Sequence, residues 1–293
     1  MEYPLVSILI TSYNRASYIE AAIESALQQT YPNIEIIVTD NCSTDGTQAL
    51  LANYKAHDKV HLYFNKTDIG QFPNRNLAAS YAKGKYIKYL DSDDLIYPHG
   101  LEVMVKAMEQ FPKGGIGLSF NSYDEQEPLP VLFSTEKSFI NHFFKRGILG
   151  IGPSGCIYKR DYFEKIGGFN PEFKVAADYD FNTRAAGSQP IVLFQRDLFW
   201  WRHHDGQEIT LSTKNNEYVI LNYLIHKKNV QNAQLNKEIK LKILKNNEIL
   251  MGRRLLKLAL KITPKEIKRI CKVTNFKTKS FFRSMFPTNK MRT

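Results

Sequence analysis

The sequence lacks several features that would place it in a well-defined class of protein. It holds only three cysteines, Cys42, Cys156 and Cys271, and their wide spacing fits neither a disulfide framework nor a zinc site. No run of about 18 or more apolar residues occurs, so no helix is predicted to span a membrane. Met1–Leu5 has neither the basic start nor the apolar core of a secretory signal, which predicts a cytoplasmic protein.

Two well-known phosphate-binding loops are also absent. Neither Gly-x-Gly-x-x-Gly nor Gly-x-x-x-x-Gly-Lys-Ser/Thr follows the first predicted strand, Val6–Ile10. The first loop binds dinucleotides in dehydrogenases, and the second binds nucleoside triphosphates in P-loop kinases. The sequence therefore argues against both of these enzyme classes.

Charge is distributed unevenly along the chain, which has 40 basic and 29 acidic residues in total. Residues 221–293 carry 19 Lys and Arg against 3 acids, a net charge of +16. Residues 1–220 hold the remaining 21 basic and 26 acidic residues, a net charge of −5. A basic segment of this kind is typical of contact with an anionic surface, either membrane headgroups or nucleic acid.

The first third of the chain alternates between strand and helix patterns. Short β-rich runs predict strands at Val6–Ile10, Ile34–Val38, Val60–Phe64 and Tyr86–Leu90, with helix-spaced apolar residues between them. This order predicts an α/β fold whose mostly parallel sheet has flanking helices. Ligands of such sheets bind at the carboxyl ends of the strands, where the polar clusters of this sequence lie.

The motif Asp91-Ser92-Asp93-Asp94 directly follows the fourth predicted strand. Neighbouring carboxylates repel one another and raise each other's pKa, and a divalent cation relieves that repulsion. Mg²⁺ and Mn²⁺ take oxygen ligands, commonly one or two carboxylates together with substrate phosphates. The motif therefore predicts a metal-diphosphate site, with a solvated acidic turn as the alternative.

Other polar residues are expected at the same edge of the sheet. Thr11, Tyr13 and Arg15 follow the first strand and could surround a nucleotide, or they could be ordinary loop residues. Asp40-Asn41 follows the second strand and could bind a base or a ribose, or it could begin a turn. The residues alone leave both alternatives open.

Two further candidates lie in the less regular middle of the chain. Asp178 could act as a general base toward a hydroxyl group, or it could cap a helix that begins near Phe181. His203 and His204 could bind a metal as neutral rings or a phosphate as cations. Histidine pairs in loops also occur without any such role.

Three segments together resemble the family 2 glycosyltransferases, which have the GT-A fold. They are residues 6–15 at the first strand, residues 31–47 at the second strand, and residues 84–94 with the Asp-x-Asp motif. The order and spacing of the three carry the resemblance, which covers about residues 4–212. It implies an inverting sugar transfer from a nucleotide-sugar donor, with uridine as the usual base of the family.

The resemblance implies a nucleotide-sugar pocket. Asp40 would contact the base, Arg75 would lie near the base or the phosphates, and Asp91 would hold the ribose or a metal-bound water. The full set implied for nucleotide-sugar binding is Thr11, Tyr13, Arg15, Asp40, Arg75, Asp91 and Ser92.

The resemblance implies a metal site as well. Asp93 would ligate Mn²⁺ or Mg²⁺, and His204 matches a family position associated with the metal or the diphosphate. His204 belongs to a late Arg-x-His element, Arg202-His203-His204, which a serine, here Ser212, follows in the family pattern.

Asp178 is implied to be the catalytic base that removes the proton of the acceptor hydroxyl. It follows Gly167-Gly168-Phe169-Asn170, which is similar to the Gly-Gly-Phe-Asp element of the family. The residue before Asp178 is Ala177, where the family pattern has glutamate. This departure leaves an acceptor or positioning contact without its usual residue.

Two regions are expected, a GT-A catalytic domain at 1–220 and a basic helical C-terminal region at 221–293. Lys and Arg alternate with Leu and Ile in Met251–Ile262, and Phe276 and Phe281 lie among basic residues farther on. Basic amphipathic helices bind anionic membranes, with about 1 kcal/mol from each basic residue. Membrane contact is favoured for 251–293, whereas packing on the body is an equal alternative for 221–250.

The expected protein is a cytoplasmic enzyme held peripherally on the inner face of the cell membrane. Its acceptor would be a glycan or a lipid-linked glycan in cell-surface polysaccharide synthesis. No nucleic-acid partner is expected, because the body is acidic and has no recognition motif. The alternatives are a sugar-nucleotide nucleotidyltransferase, which the glycine-free Thr11–Arg15 disfavours, and a non-catalytic nucleotide- or glycan-binding protein, which Ala177 suggests.

Overall fold

The computed structural model describes residues 3–120, 128–204 and 217–277. Its strands are β1 Val6–Ser12, β2 Ile34–Asp40, β3 Val60–Phe64, β4 Tyr86–Asp91, β5 Leu95–Ile96, β6 Ile116–Ser119, β7 Val131–Phe133, β8 Cys156–Lys159, β9 Ile191–Phe194 and β10 Phe199–Trp200. All four predicted strands are present as β1 to β4. Three of them extend one or two residues farther at the carboxyl end than the pattern predicted.

The helices surround this set of strands. They are α1 Ile19–Leu27, α2 Thr47–Leu51, α3 Gln71–Tyr81, α4 Gly100–Gln110, α5 Thr135–Ile140, α6 Arg160–Lys165, α7 Ala177–Ser188, α8 Glu217–Asn232, α9 Lys237–Leu258 and α10 Pro264–Thr274. A π-helical turn at Asn141–Arg146 and a tight turn at Pro153–Gly155 also matter below. Within the three described ranges, no helix has the length and hydrophobicity needed to cross a membrane.

The central sheet has eight strands in the order β3-β2-β1-β4-β8-β6-β9-β7. Strands β1 to β4 are mutually parallel, and β6 is parallel to β9. Strand β8 runs antiparallel between β4 and β6, and β7 is antiparallel to β9. Because β8 is antiparallel, its first residues and the Pro153–Gly155 turn before it lie beside the carboxyl end of β4.

The parallel strands β1, β2 and β4 are mostly apolar, because both faces of the sheet are covered. Successive side chains of a strand point to opposite faces. In β1, Leu9 therefore enters the core under α3 and α7, whereas Ile8 and Ile10 enter the second core, which α1 and α4 cover. The predicted α/β fold with a mostly parallel sheet and flanking helices is confirmed.

Helices α8 and α9 pack onto the body of the protein. Ile225 and Ile243 belong to the same core as residues of the sheet. The Asn229 amide donates to the Asp180 carbonyl at 3.2 Å, to Asp180 Oδ1 at 3.0 Å and to Thr183 Oγ1 at 2.6 Å. Residues 221–250 thus take the packed arrangement, and the boundary predicted at residue 220 lies inside α8.

A chain of buried side chains also joins α8 and α9 to α7. Tyr179 Oη lies 2.5 Å from both His142 Nε2 and His226 Nε2, and His226 Nδ1 lies 2.8 Å from Asn247 Oδ1. Burial lowers the pKa of His142 to about 3 and the pKa of His226 to about 4, so both rings are neutral at physiological pH. Leu149 N–H donates to His142 Nδ1, so the neutral His142 ring carries its proton on Nε2 and donates it to Tyr179 Oη. Tyr179 in turn donates to His226 Nε2, and His226 Nδ1 donates to Asn247 Oδ1.

We expect Asn229→Ala to lower the free energy of unfolding by about 2 kcal/mol, because buried acceptors on α7 lose their donor. Urea denaturation measures the change. Asn232→Ala, at the exposed end of the same helix, is the matched control and should change stability by less than about 0.5 kcal/mol. Equal unfolding midpoints for the two variants would contradict the role given to Asn229.

Candidate active site

The loops that follow β1 and β2 support one another. Asn14 has a left-handed backbone, with φ of 52°. Its N–H donates to Ser43 Oγ at 2.8 Å, and its side-chain oxygen accepts from Thr44 N at 2.9 Å. Arg15 N–H donates to Thr47 Oγ1 at 2.9 Å. The residues after β1 are therefore held in one conformation by the loop after β2.

A cavity of about 450 Å³ opens at the carboxyl ends of β1, β2 and β4. This volume is within the range of small-molecule sites. The predicted residues that line it are Thr11, Tyr13, Arg15, Arg75, Asp91, Ser92 and Asp93. Asn41 of the Asp40-Asn41 pair lines it as well, and so do Asp68, Gln71, Asn74 and Trp201.

Arg75 forms an ion pair with Asp91 in the wall of the cavity. Arg75 Nη1 lies 2.7 Å from Asp91 Oδ1, with 5% of the arginine side chain and 28% of the aspartate side chain exposed. The guanidinium also lies 5.6 Å from the centre of the Phe72 ring and 5.8 Å from that of Tyr89. Arg75 Nε is buried and has no hydrogen-bond partner within the described residues.

Asp93 and His204 are in direct contact, although 111 residues separate them in sequence. Asp93 Oδ2 lies 2.9 Å from His204 Nε2 and 3.3 Å from Arg15 Nε. The antiparallel pairing of β5 with β10 brings the two segments together. The structure therefore joins the two residues predicted to bind the metal, whereas Ser212 lies outside the described residues.

Asp93 Oδ2 and His204 Nε2 are protein atoms that could hold a divalent cation together. Within residues 3–120, 128–204 and 217–277, no group of three or more His, Cys, Asp and Glu side chains forms a metal site. A site with one or two protein ligands suits Mg²⁺ and Mn²⁺, which take further oxygen ligands from substrate phosphates. The donor set thus fits an ion that is bound together with a diphosphate.

Asp94, the third carboxylate of the motif, turns away from the cavity. Its side chain is buried, and its Oδ1 accepts from Arg202 N at 3.1 Å. Burial and the neighbouring Asp91 carboxylate raise the pKa of Asp94 well above its usual range. Asp94 thus connects the acidic turn to the segment that carries His204.

Asp178 lies in the first turn of α7, whose N-cap is Ala176, so the helix-cap alternative is not what the structure shows. Asp178 Oδ1 accepts from Tyr179 N at 2.7 Å. Burial raises the pKa of Asp178 to about 6, although the Tyr179 amide and the Arg75 charge act to lower it. The preceding Ala177 is fully buried in the main core, so a glutamate there would be buried among apolar residues.

The glycine-rich turn before α7 is hydrogen-bonded to α3. Gly168 has a φ of +61°, and a Cβ atom at this position would lie 2.7 Å from Asn76 Oδ1. Asn76 Oδ1 accepts from Phe169 N at 3.0 Å, and Asn76 Nδ2 donates to the Phe169 carbonyl at 2.8 Å. Arg184 of α7 donates to the Gly168 carbonyl at 2.7 Å. The helix of Asp178 and the helix of Arg75 are therefore fixed to the same turn.

Comparisons with known proteins agree with this architecture. Residues 7–167 match the sequence profile described as glycosyl transferase family 2. The chain belongs to this family. TuaG of Bacillus subtilis is 38% identical to this chain over 121 residues, which are 41% of this chain and 47% of TuaG. The name of TuaG assigns it to teichuronic acid biosynthesis. An uncharacterized glycosyltransferase of Rickettsia typhi is 33% identical over 215 residues, which are 70% of this chain and 65% of that protein. The match therefore spans less than two thirds of the length of either relative.

Solved structures show the same fold as this glycosyltransferase. The crystal structure of S. aureus TarS 1–349 in complex with UDP-GlcNAc has a TM-score of 0.73 at 20% identity, over 92% of this chain and 79% of that chain. The mannosyltransferase PcManGT from Pyrobaculum calidifontis, in complex with GDP-Man and Mn²⁺, has a TM-score of 0.64 at 16% identity, over 97% and 84% of the two chains. The predicted GT-A fold is confirmed.

Asp40 of this glycosyltransferase lies behind the cavity wall. Its buried carboxylate accepts from Ser43 Oγ at 2.5 Å, from Ser43 N at 2.9 Å and from Gln48 Nε2 at 2.8 Å. The next residue, Asn41, lines the cavity and donates to Asp68 Oδ1 at 2.5 Å. A direct contact between Asp40 and the base is therefore not supported, because both carboxylate oxygens already bind the loop. Asn41 is the residue of this pair that reaches the cavity.

We expect Arg75→Met to lower the free energy of unfolding of the glycosyltransferase by about 2 kcal/mol, because Asp91 loses its partner. The loss stays below that of a fully buried pair because Asp91 is 28% exposed. Chemical denaturation measures it. Arg160→Met is the control, since its exposed ion pair with Glu164 at 3.2 Å should contribute less than about 1 kcal/mol. A loss at Arg75 no larger than that of the control would contradict the prediction.

Proposed function

We propose that this family 2 glycosyltransferase transfers a sugar, with inversion, from a UDP-sugar to a glycan or lipid-linked acceptor in cell-surface polysaccharide synthesis. The observation that carries the proposal is that Arg75, Asp91 and Asp93 line one cavity, with Arg75 paired to Asp91 and His204 in contact with Asp93. The names of TuaG and of the TarS complex with UDP-GlcNAc support the donor class and the pathway. Family membership favours sugar transfer over nucleotidyl transfer.

The donor would lie across the ends of β1, β2 and β4. Tyr13 is 47% exposed at the cavity, so its ring offers an apolar face on which a base can stack. Asn41 offers an amide at the end of β2. Arg75 supplies a buried guanidinium with an unpartnered Nε, and guanidinium groups bind phosphate oxygens strongly. These residues suit a nucleoside diphosphate.

Asp93 and His204 would hold Mn²⁺ or Mg²⁺ against the diphosphate. An ion bound there neutralises the negative charge that develops on the leaving group. Arg15 Nε, 3.3 Å from the same Asp93 oxygen, adds positive charge from the loop after β1. Arg75 adds a second cation from α3, so the chain itself places positive charge at two sides of the cavity.

Asp178 would act as the general base. As the acceptor oxygen attacks the anomeric carbon, the bond to the diphosphate breaks and the hydroxyl proton passes to the Asp178 carboxylate. A single displacement of this kind inverts the anomeric configuration. Because burial raises the pKa of Asp178 only to about 6, the group is ionised at neutral pH and can accept a proton.

We expect Asp178→Asn to lower the transfer rate by about 10²- to 10⁴-fold, the usual contribution of a general base. Binding of the nucleotide sugar should be unchanged, because the substitution keeps the size of the side chain. In the unsubstituted enzyme, kcat should fall with pH below about 6, as the base becomes protonated. Asp58→Asn, at an exposed surface position, is the control.

In contrast to Asp178→Asn, the variant Asp93→Ala should bind the nucleotide more weakly. It should lose the part of UDP binding that depends on Mn²⁺, measured by calorimetry with and without a chelator. Mn²⁺-dependent hydrolysis of a nucleotide sugar separates an enzyme from a non-catalytic binding protein of the same fold. Transfer at the normal rate by Asp178→Asn would show that another group is the base.

The second part of the proposal is that the C-terminal helices contact the anionic inner face of the cell membrane. Leu260, between α9 and α10, is 88% exposed, and Val273 of α10 is 51% exposed. Glu266 is the single acid in residues 251–277, and it pairs with Arg269 at 2.6 Å. The same segment of the sequence carries exposed lysines at Lys257, Lys261, Lys265, Lys268, Lys272 and Lys277. No nucleic-acid partner is proposed.

We expect Leu260→Asp combined with Lys261→Glu to weaken cosedimentation with phosphatidylglycerol vesicles by at least about tenfold. Each lost basic residue removes about 1 kcal/mol, and the apolar side chain that Leu260 would bury in the lipid is lost as well. The control carries the same two changes at Leu241, which is 59% exposed, and Lys242. Equal pelleting of the two double variants would show that the surface around Leu260 does not contact the membrane.

A further inference from the structure

A fully buried lysine lies directly beneath the acidic turn. Lys88 is on β4, three residues before Asp91, and its side chain is 0% exposed. Its ammonium donates to the Tyr89 carbonyl at 2.7 Å and to the carbonyl of Ser154. Burying an ammonium costs several kcal/mol unless hydrogen bonds and opposite charge compensate it. An apolar side chain would fill this position without that cost, so the lysine calls for a local explanation.

Ser154 connects that lysine to the acidic turn. It lies in the Pro153–Gly155 turn, and its carbonyl is fixed by Lys88. Its side-chain oxygen accepts from Asp91 N at 3.0 Å, so the hydroxyl proton is free to bond the carboxylate of Asp94. One serine thus contacts the turn at both its first and its last residue.

Asp94 extends the connection to the segment that carries His204. Asp94 Oδ1 accepts from Arg202 N at 3.1 Å, and Arg202 Nε donates to the Asp93 carbonyl at 2.9 Å. These two bonds fix the backbone on both sides of the contact between Asp93 and His204. We call Lys88, Ser154 and Asp94 the support chain.

The support chain also opposes the repulsion within the acidic turn. The Lys88 ammonium is close enough for the charges of Asp91 and Asp94 to act on it. It approaches from inside the protein, whereas Arg15 and Arg75 approach from the cavity. A positive charge on the buried side lets the carboxylates stay together without occupying the space where a ligand binds.

We propose that Lys88 and Ser154 are positioning residues for the acidic turn, and that Asp94 is a part of this support and not a metal ligand. The support chain fixes the turn and, through Asp94, the separation of Asp93 from His204. The consequence for metal binding rests on the function proposed above, whereas the consequence for the Arg202 segment does not. A site that is ordered in advance loses less free energy on binding its ligand.

Tryptophan fluorescence tests the support chain without any metal. The chain has two tryptophans, Trp200 and Trp201, and both directly precede Arg202. Ser154→Ala should loosen this segment, which shifts the emission to longer wavelength and raises quenching by acrylamide. Ser154→Thr keeps the hydroxyl and should retain the original emission. Ser138→Ala is the control, because it removes another buried hydroxyl, bonded to the Ser134 carbonyl at 2.8 Å in α5.

Mn²⁺-dependent binding of UDP is the second measurement. Ser154→Ala should raise the Mn²⁺ concentration at half-saturation by about tenfold, the effect of losing one hydrogen bond to a charged group. Lys88→Met should do the same, with Lys159→Met as its control, since the Lys159 ammonium bonds the Pro112 carbonyl away from the cavity. If Lys88→Met does not fold, the Ser154 variants alone test the support chain.

The two measurements separate the support chain from the proposed function. Emission, quenching and half-saturation all unchanged in Ser154→Ala would overturn the support chain. A wild-type protein that binds UDP without any effect of Mn²⁺ would instead overturn the proposed metal site. In that case a red shift and stronger quenching in Ser154→Ala, but not in Ser138→Ala, would still support the role of the support chain, and equal fluorescence of the two variants would contradict it.

Discussion

Repulsion among the three carboxylates at the end of β4 is the constraint around which the site is arranged. Each carboxylate is stabilised by groups from a different part of the chain. Asp91 pairs with Arg75 of α3, and Asp93 lies between Arg15 and His204. Asp94 accepts from the backbone of the segment after β10. A turn that would be unstable alone is thereby the point at which the separate elements of the site are joined.

This arrangement explains why the sheet departs from a purely parallel order at β8. An antiparallel β8 beside β4 delivers the Pro153–Gly155 turn to the carboxyl end of β4, where Ser154 bonds the acidic turn. A parallel strand in the same place would begin at the opposite edge of the sheet. The short β5–β10 ladder has a similar effect, because it brings His204 to Asp93. The antiparallel pairings thus supply the long-range contacts of the site.

The parts of the site that could be predicted from sequence are those set by strand direction. Parallel strands end at one edge, so Thr11, Arg15 and Asp91 had to converge. The residue that faces the cavity at the end of β2 could not be predicted, because neighbouring side chains point to opposite sides and a shift of one residue exchanges them. Asp40 is buried and Asn41 lines the cavity for this reason. Nor does local periodicity report a contact between segments as distant as β5 and β10.

The described part of the basic C-terminal region differs in charge from the body of the protein and yet packs against it. Most of the lysines in its described part, residues 221–277, are exposed, whereas Ile225 and Ile243 enter the core of the sheet. Asn247 of α9 ends the buried chain that holds α7, the helix of Asp178. At 1.5 Å per residue, Leu260 lies about 20 Å along the chain from Asn247. If the membrane contact proposed for Leu260 forms, the same helices that hold α7 also set the height of the cavity above the lipid. A lipid-linked acceptor would then have to extend from the lipid surface, across that height, to reach Asp178.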